Sequence, residues 1–99
     1  MATRIGIGLL GLGTVGAGVA SILTSPEGRH PLIAELDLVR VAVRDLNRSR
    51  PVAIPQERLT TDPEAVVDDP GVQVVVEVMG GIEPARTLIM RAIAAGKSV

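Results

Sequence analysis

The 99-residue chain has no cysteine, phenylalanine, tryptophan or tyrosine, and a single histidine. Without cysteine there is no disulfide framework, no thiol nucleophile and no zinc–thiolate site. Without aromatic rings nothing can stack on a nucleobase or a nicotinamide, which removes the usual means of gripping single-stranded nucleic acid. The one histidine, His30, stands between Arg29 and Pro31 with no carboxylate at ligand spacing, so it makes no metal site. The formal net charge is only −1, which leaves no electrostatic footprint for nucleic acid or an anionic membrane. No apolar run is long enough to cross a bilayer. The expectation is a cytoplasmic protein with no nucleic-acid and no membrane partner.

What is present is ordinary for a globular chain, at 46% hydrophobic and 21% charged residues, and the length allows one small domain at most. The core has to be built from Val, Ile, Leu, Ala and Met. Small aliphatic cores suit a parallel sheet covered by helices on both faces. A domain of this size has little surplus stability.

The most informative segment is Leu9 to Gly16, Leu-Leu-Gly-Leu-Gly-Thr-Val-Gly, a G-x-G-x-x-G run. Its context counts for more than the run, since glycine triplets arise by chance. Upstream, Ile5, Ile7, Leu9 and Leu10 read as a buried strand; downstream, Val15, Val19, Ile22 and Leu23 fall at helical spacing. The glycines therefore sit where a strand turns into a helix. There Gly11 permits the tight turn, Gly13 lets the backbone approach a pyrophosphate, and Gly16 lets helix and strand pack closely. The pyrophosphate would face unpaired N–H groups at the positive end of the helix dipole. A secretory signal peptide, with Arg4 ahead of an apolar stretch and Ala17–Ala20 as a cleavage site, competes poorly. Six glycines between Gly6 and Gly18 make a poor apolar helix. A ligand-free glycine turn is the other competing reading.

Beyond the first helix, Ser25-Pro26-Glu27-Gly28 breaks the pattern and residues 31–37 suggest a short helical turn. Leu38 to Arg44 is rich in β-branched residues and predicts a second strand, followed by a loop over residues 45–56 and a brief third strand at Leu59-Thr60. Asp62-Pro63-Glu64 is a helix start, with a capping acid, a proline at the first helical position and a further acid. Asp68-Asp69-Pro70-Gly71 is a turn, and Val72 to Val78 predicts a further strand closed by Met79-Gly80-Gly81. Pro84 opens a last helix whose apolar face is Ala85, Leu88, Ile89, Ala92 and Ile93, with Arg86 and Arg91 turned away and Gly96 as C-terminal cap. Lys97-Ser98-Val99 looks like the opening of another strand. This alternation predicts a doubly wound parallel α/β sheet of the Rossmann type, incomplete at its C-terminus. Residues 1–99 are thus expected to form the N-terminal part of a dinucleotide-binding domain in a longer protein.

In open parallel sheets ligands bind beyond the carboxyl ends of the strands. The first end carries the glycine loop. The second ends in Arg44-Asp45, where an acid would hydrogen-bond ribose hydroxyls (NAD) and an arginine would pair with a 2′-phosphate (NADP). Arg44 favours NADP, with NAD open; a solvated Arg-Asp pair beside Arg48 and Arg50 accounts equally for these residues. The third, Met79-Gly80-Gly81, is expected beside the nicotinamide half. Glu77 interrupts an apolar strand; a helix N-terminus nearby or an outward position explains it better than catalysis, and Glu83 favours the dipole of the last helix.

Together, Gly11-Leu-Gly-Thr-Val-Gly16, Val41-Ala-Val-Arg-Asp45, Leu59-Thr-Thr-Asp62 and the run from Val76 through Met79-Gly80-Gly81 to Ala85 resemble the N-terminal domain of homoserine dehydrogenases, in order across essentially the whole chain. The last segment is far more specific than the glycine loop. The resemblance implies a full-length enzyme interconverting L-homoserine and L-aspartate 4-semialdehyde with a nicotinamide cofactor, in threonine, methionine and isoleucine synthesis. By position it implies that Gly11, Leu12, Gly13, Thr14, Val15 and Gly16 hold the pyrophosphate, Arg44 the adenosine phosphate or ribose, and Met79, Gly80 and Gly81 the nicotinamide side. It also implies that the catalytic lysine and aspartate and the substrate pocket lie in a separate domain, so that this chain binds cofactor at most, and that the full-length enzyme is a homodimer. Three other readings stand beside it: the cofactor domain of another NAD(P)-dependent dehydrogenase, a non-catalytic nucleotide-sensing module, and a methyltransferase, which the third glycine and Arg44 disfavour.

Overall fold

The computed structural model describes residues 4–25, 27, 28, 30–47, 52–80 and 82–99. Strand β1 (Ile5–Leu10) leads into helix α1 (Thr14–Thr24), and a 3-10 turn (Pro31–Glu35) leads into β2 (Leu36–Ala42). A short β3 (Leu59–Thr60) precedes α2 (Pro63–Asp68), β4 (Val74–Glu77) and α3 (Ala85–Ala94). The strands form one sheet in the order β3-β2-β1-β4, and every pairing is parallel. Chain order therefore reverses direction across β1, between β2 on one side and β4 on the other. That reversal is where such sheets open a crevice.

Successive side chains of a strand point to opposite faces, and both faces are covered, so the strands read as nearly continuous apolar runs. On one face Ile7, Leu9, Leu38, Val41 and Val43 pack with Ala20 of α1. On the other, Leu10, Ala42 and Val75 pack with Val66 and Val67 of α2 and with Leu88 and Ala92 of α3. Close approach of the second layer explains the glycines of β1. A Cβ on Gly8 would come within 2.7 Å of a Val66 methyl and 2.9 Å of a Val72 methyl.

Several expected signals do their expected work. Asp62 caps α2 by accepting from the Glu64 N–H at 3.0 Å, with Pro63 at the first helical position. Gly96, at φ +81°, ends α3 with two reaching bonds, its own N–H to the Ile93 carbonyl and the Lys97 N–H to the Ala92 carbonyl, each 3.0 Å. His30, to which the sequence assigns no role, accepts from the Leu32 N–H and so caps the 3-10 turn. Ser98 bridges to Val74 in parallel, so the chain's last residues run alongside β4.

Three expectations need correction. β2 begins at Leu36 and ends at Ala42, rather than spanning residues 38–44, because beyond Ala42 only the Val43 N–H still reaches β3, at the Thr60 carbonyl. β4 covers residues 74–77 rather than 72–78: the Val72 N–H is still held by the Asp69 carbonyl in the preceding turn. On α3, Ala85, Leu88 and Ala92 face the core, but Ile93 is 55% exposed, since no layer lies opposite that side of the helix among the described residues.

Arg91, expected to turn away from the core, does so, and its guanidinium ties α3 to α2 through Asp68 (2.5 and 2.8 Å) and Glu64 (3.4 Å). The hydrogen bonds from Arg91 hold the Asp68 carboxyl below its ordinary value of 3.8. A depressed carboxyl stabilises the fold above its unfolded-state pKa and loses that contribution as pH falls through its folded-state value. Arg91→Ala should therefore lower Tm slightly at neutral pH and converge with wild type as pH falls through the depressed Asp68 value, read by thermal melts across the acid range. A gap that persists into acid would exclude the pair as its source.

Candidate functional site

The carboxyl ends of the four strands meet in one cleft of about 800 Å³, the size of a small-molecule or cofactor site. Its floor is the β1–α1 turn, Gly11 to Thr14, with Ala17 behind it. One flank is Ala42, Val43, Arg44 and Asp45 at the end of β2, and beyond them Thr61 and Pro63 at the end of β3. The other flank is Val78 and Met79 at the end of β4.

The turn is shaped by contacts as much as by dihedrals. Gly11 has φ +105°, and its N–H donates to the Ala42 carbonyl at 3.1 Å, so the turn is fastened to β2. A Cβ on Gly16 would run into the Gly11 carbonyl oxygen, so only glycine there lets α1 start this close to β1. At Gly13 a Cβ would meet nothing within 4 Å; the space in front of it is the cleft.

Helix α1 begins without a side-chain cap and without an acidic residue in its first turn. Its first backbone bond is from the Ala17 N–H to the Gly13 carbonyl, 2.8 Å. The amides of Thr14, Val15 and Gly16 precede that bond and have no helical acceptor. Helix α2 makes the contrast: its N-terminus is closed by Asp62 and followed by Glu64. The N-terminus of α1, on the cleft floor, is thus left open for an anion, whereas that of α2 is closed.

Arg44 is exposed on the cleft rim and makes no hydrogen bond or ion pair among the described residues. Arg40, Arg58 and Arg91 are instead paired with Asp69, Asp37 and Asp68. Next to Arg44, the Asp45 carboxylate accepts from the Asn47 N–H at 2.9 Å, so it shapes its own turn. At the end of β4, Glu77 accepts from the Met79 N–H at 2.7 Å. Glu77, half-buried, thus holds the exit turn of its own strand rather than a helix N-terminus. Glu83 accepts from the Thr87 N–H at 3.0 Å, in the first turn of α3.

Of the sequence-predicted site residues, Gly11, Leu12, Gly13, Thr14, Arg44 and Met79 line the cleft. Val15 does not line it and is 66% exposed, while Gly16 is buried behind Gly11. Gly80 lies just past Met79 with φ +79° and is not part of the wall. Gly81 lies outside the described residues. Sequence reasoning missed Ala17, Ala42, Val43, Thr61, Pro63 and Val78. The signal for Thr61 and Pro63 was available: the same strand-end rule, applied to Leu59-Thr60, marks them as a fourth contributor.

The residues present fit a dinucleotide, with open amides for bridged phosphates on the floor and, on one flank, an arginine unpaired among the described residues. A family model described as homoserine dehydrogenase, NAD binding domain, matches residues 11–99. The homoserine dehydrogenase of Synechocystis is 55% identical over 93 residues, covering 94% of this chain and 22% of that protein. That of Bacillus subtilis is 41% identical over 97 residues, covering 96% of this chain and 22% of its own length. A crystal structure of the S. aureus homoserine dehydrogenase superposes with a TM-score of 0.84 at 34% identity, over 98% of this chain and 25% of that one. The chain thus spans about a fifth to a quarter of the relatives it matches. No described helix is long and apolar enough to cross a membrane. With its fold, its glycine turn and its relatives in agreement, the chain belongs to the homoserine dehydrogenase family, as an NAD-binding domain of that oxidoreductase.

Proposed function

We propose that the cleft holds NADP(H), with the pyrophosphate on the amides of Thr14 to Gly16, the adenosine 2′-phosphate at Arg44 and the nicotinamide toward Met79 and Gly80. The observation that carries this reading is the pairing of an uncapped, acid-free helix start with Arg44, unpaired among the described residues, on the adjoining flank of the same cleft. The bound cofactor supplies the hydride. This chain's own groups bind and orient it: the turn fixes the phosphates, Glu77 holds the exit of β4, and the apolar walls at Val43, Val78 and Met79 keep water from the rings. In the whole protein the reaction is the interconversion of L-homoserine and L-aspartate 4-semialdehyde, within amino-acid biosynthesis. The substrate-handling groups belong to the part of the family's length that this chain does not span, so the chain alone binds cofactor without turnover.

NAD use is the second reading, favoured by Asp45 on the same rim. Titration of the wild-type chain and of Arg44→Ala with NADPH and NADH separates the two. A charge-assisted pair contributes about 1.5–3 kcal/mol, so NADPH affinity should fall about 10- to 100-fold while NADH changes little. Equal loss for both cofactors would remove the phosphate assignment.

A further inference from the structure

We infer that the Glu77 carboxylate sets the cleft's preference between the two redox forms of the cofactor, favouring the oxidised, positively charged nicotinamide over the neutral reduced one. The inference rests on the nicotinamide placement proposed above. Glu77 ends β4, half-buried, opposite the fully buried Leu10 of β1. Burying a charge is costly unless the charge is paired. Three acids are half-buried among the described residues: Asp37, Asp69 and Glu77. Asp37 pairs with Arg58 at 3.4 Å, and Asp69 with Arg40 at 3.2 Å. Glu77 has no ion pair among the described residues; its one hydrogen bond there is that from the Met79 N–H to Oε2.

The Met79 bond does not account for the charge. The exit turn needs only an acceptor, and the side-chain carbonyl of a glutamine would supply one. What the turn leaves over is a negative charge beside the wall that Val78 and Met79 give to the cleft. The carboxylate lies 2.7 Å from the Met79 nitrogen, so a ring in van der Waals contact with that backbone is about 7 Å away. Apolar neighbours keep the local dielectric below that of water, which lets the field of the carboxylate reach the ring. Arg44, the cation of the rim, stands on the opposite flank with β1 between. Reduction removes the positive charge of the ring, and the attraction goes with it. Both redox forms carry the same phosphates, so any repulsion between those and Glu77 cancels in the ratio of the two affinities.

The test is titration of wild type, Glu77→Gln and Glu77→Asp with NADP+, NADPH and 2′-phospho-ADP-ribose, which lacks the nicotinamide. Glu77→Gln keeps the acceptor for the Met79 N–H and removes the charge. It should weaken NADP+ relative to NADPH by about 10-fold, between the limits set at that distance by bulk water and by a protein surface. Binding of 2′-phospho-ADP-ribose should be no weaker. Glu77→Asp, which keeps the charge, should hold the wild-type ratio. Both forms are titrated on one preparation, so a partly unfolded variant weakens them alike and leaves the ratio in place. An unchanged ratio in Glu77→Gln, whether both forms weaken together or neither does, would overturn the inference. Loss of the preference in Glu77→Asp as well would trace it to the shape of the turn and also defeat the inference. In either case wild-type binding of 2′-phospho-ADP-ribose leaves the phosphate assignment standing. Failure of wild type to bind that probe would remove the cofactor reading, and the role of Glu77 with it.

Discussion

Gly18→Ala should stabilise the chain and Gly16→Ala should destabilise it, although both glycines lie in α1 two residues apart. Alanine is favoured over glycine in a helix interior by about 1 kcal/mol. At Gly18 nothing lies within 4 Å of the added methyl, so this gain is realised in full. At Gly16 the same methyl drives into the Gly11 carbonyl oxygen, comes within 2.9 Å of the Gly11 carbonyl carbon and meets a Val78 methyl at 3.2 Å. Two of those atoms are backbone, in a turn fastened to β2 through the Gly11 N–H, and cannot swing aside as a side-chain tip would. Forced overpacking costs about 1–3 kcal/mol, more than the helical gain returns. Gly16→Ala should therefore show a net loss of up to about 2 kcal/mol in denaturant or thermal unfolding. It should also weaken NADPH, because the helix start that carries the open amides is pushed off the strand. Equal melting temperatures for the two variants would mean that the β1–α1 turn does not depend on the close approach.

That pair also shows what could be read before any coordinates. The G-x-G-x-x-G spacing named the turn, and the strand and helix on either side named its setting; both follow from local periodicity and glycine chemistry. Asp62-Pro63-Glu64 and Gly96 were legible for the same reason, since capping is decided within four residues. The order β3-β2-β1-β4 was legible only as a class, because pairing partners are set by crossovers that no short window contains. The cleft's far wall was legible in part. Once Leu59-Thr60 is read as a strand, the strand-end rule points to Thr61 and Pro63, but that β3 lies beside β2 is contained in no short window. The partner of Glu77 was not legible, because it is the backbone two residues ahead, a bond that depends on how the chain turns after β4. Ile93 was placed in the core by helical spacing alone. Spacing gives the apolar stripe of a helix but not how much of that stripe a neighbour covers.

The largest effect on binding is expected at a position that the fold itself leaves unconstrained. Gly13 is the N-cap of α1, at φ −77° and ψ −153°, an extended conformation that any residue adopts. A Cβ there meets nothing, so a side chain costs no contact. Aspartate is moreover among the better N-caps, and its charge lies at the favourable end of the helix dipole, together about 0.5–1 kcal/mol of stabilisation over glycine. Gly13→Asp should therefore raise Tm by a few degrees, with that increment scaling as expected for a domain of this size. The same carboxylate takes the amides of the first turn and sets a negative charge where the pyrophosphate must lie. Like charges brought together in a binding site cost several kcal/mol, so NADPH affinity should fall by about 100-fold or more. Stability and affinity then move in opposite directions from one substitution, a combination that general unfolding or loss of a remote contact cannot produce. Thermal melts beside NADPH titration of the same preparation measure both. A variant that melts higher yet binds NADPH within about threefold of wild type would show that the phosphates do not rest on this helix start.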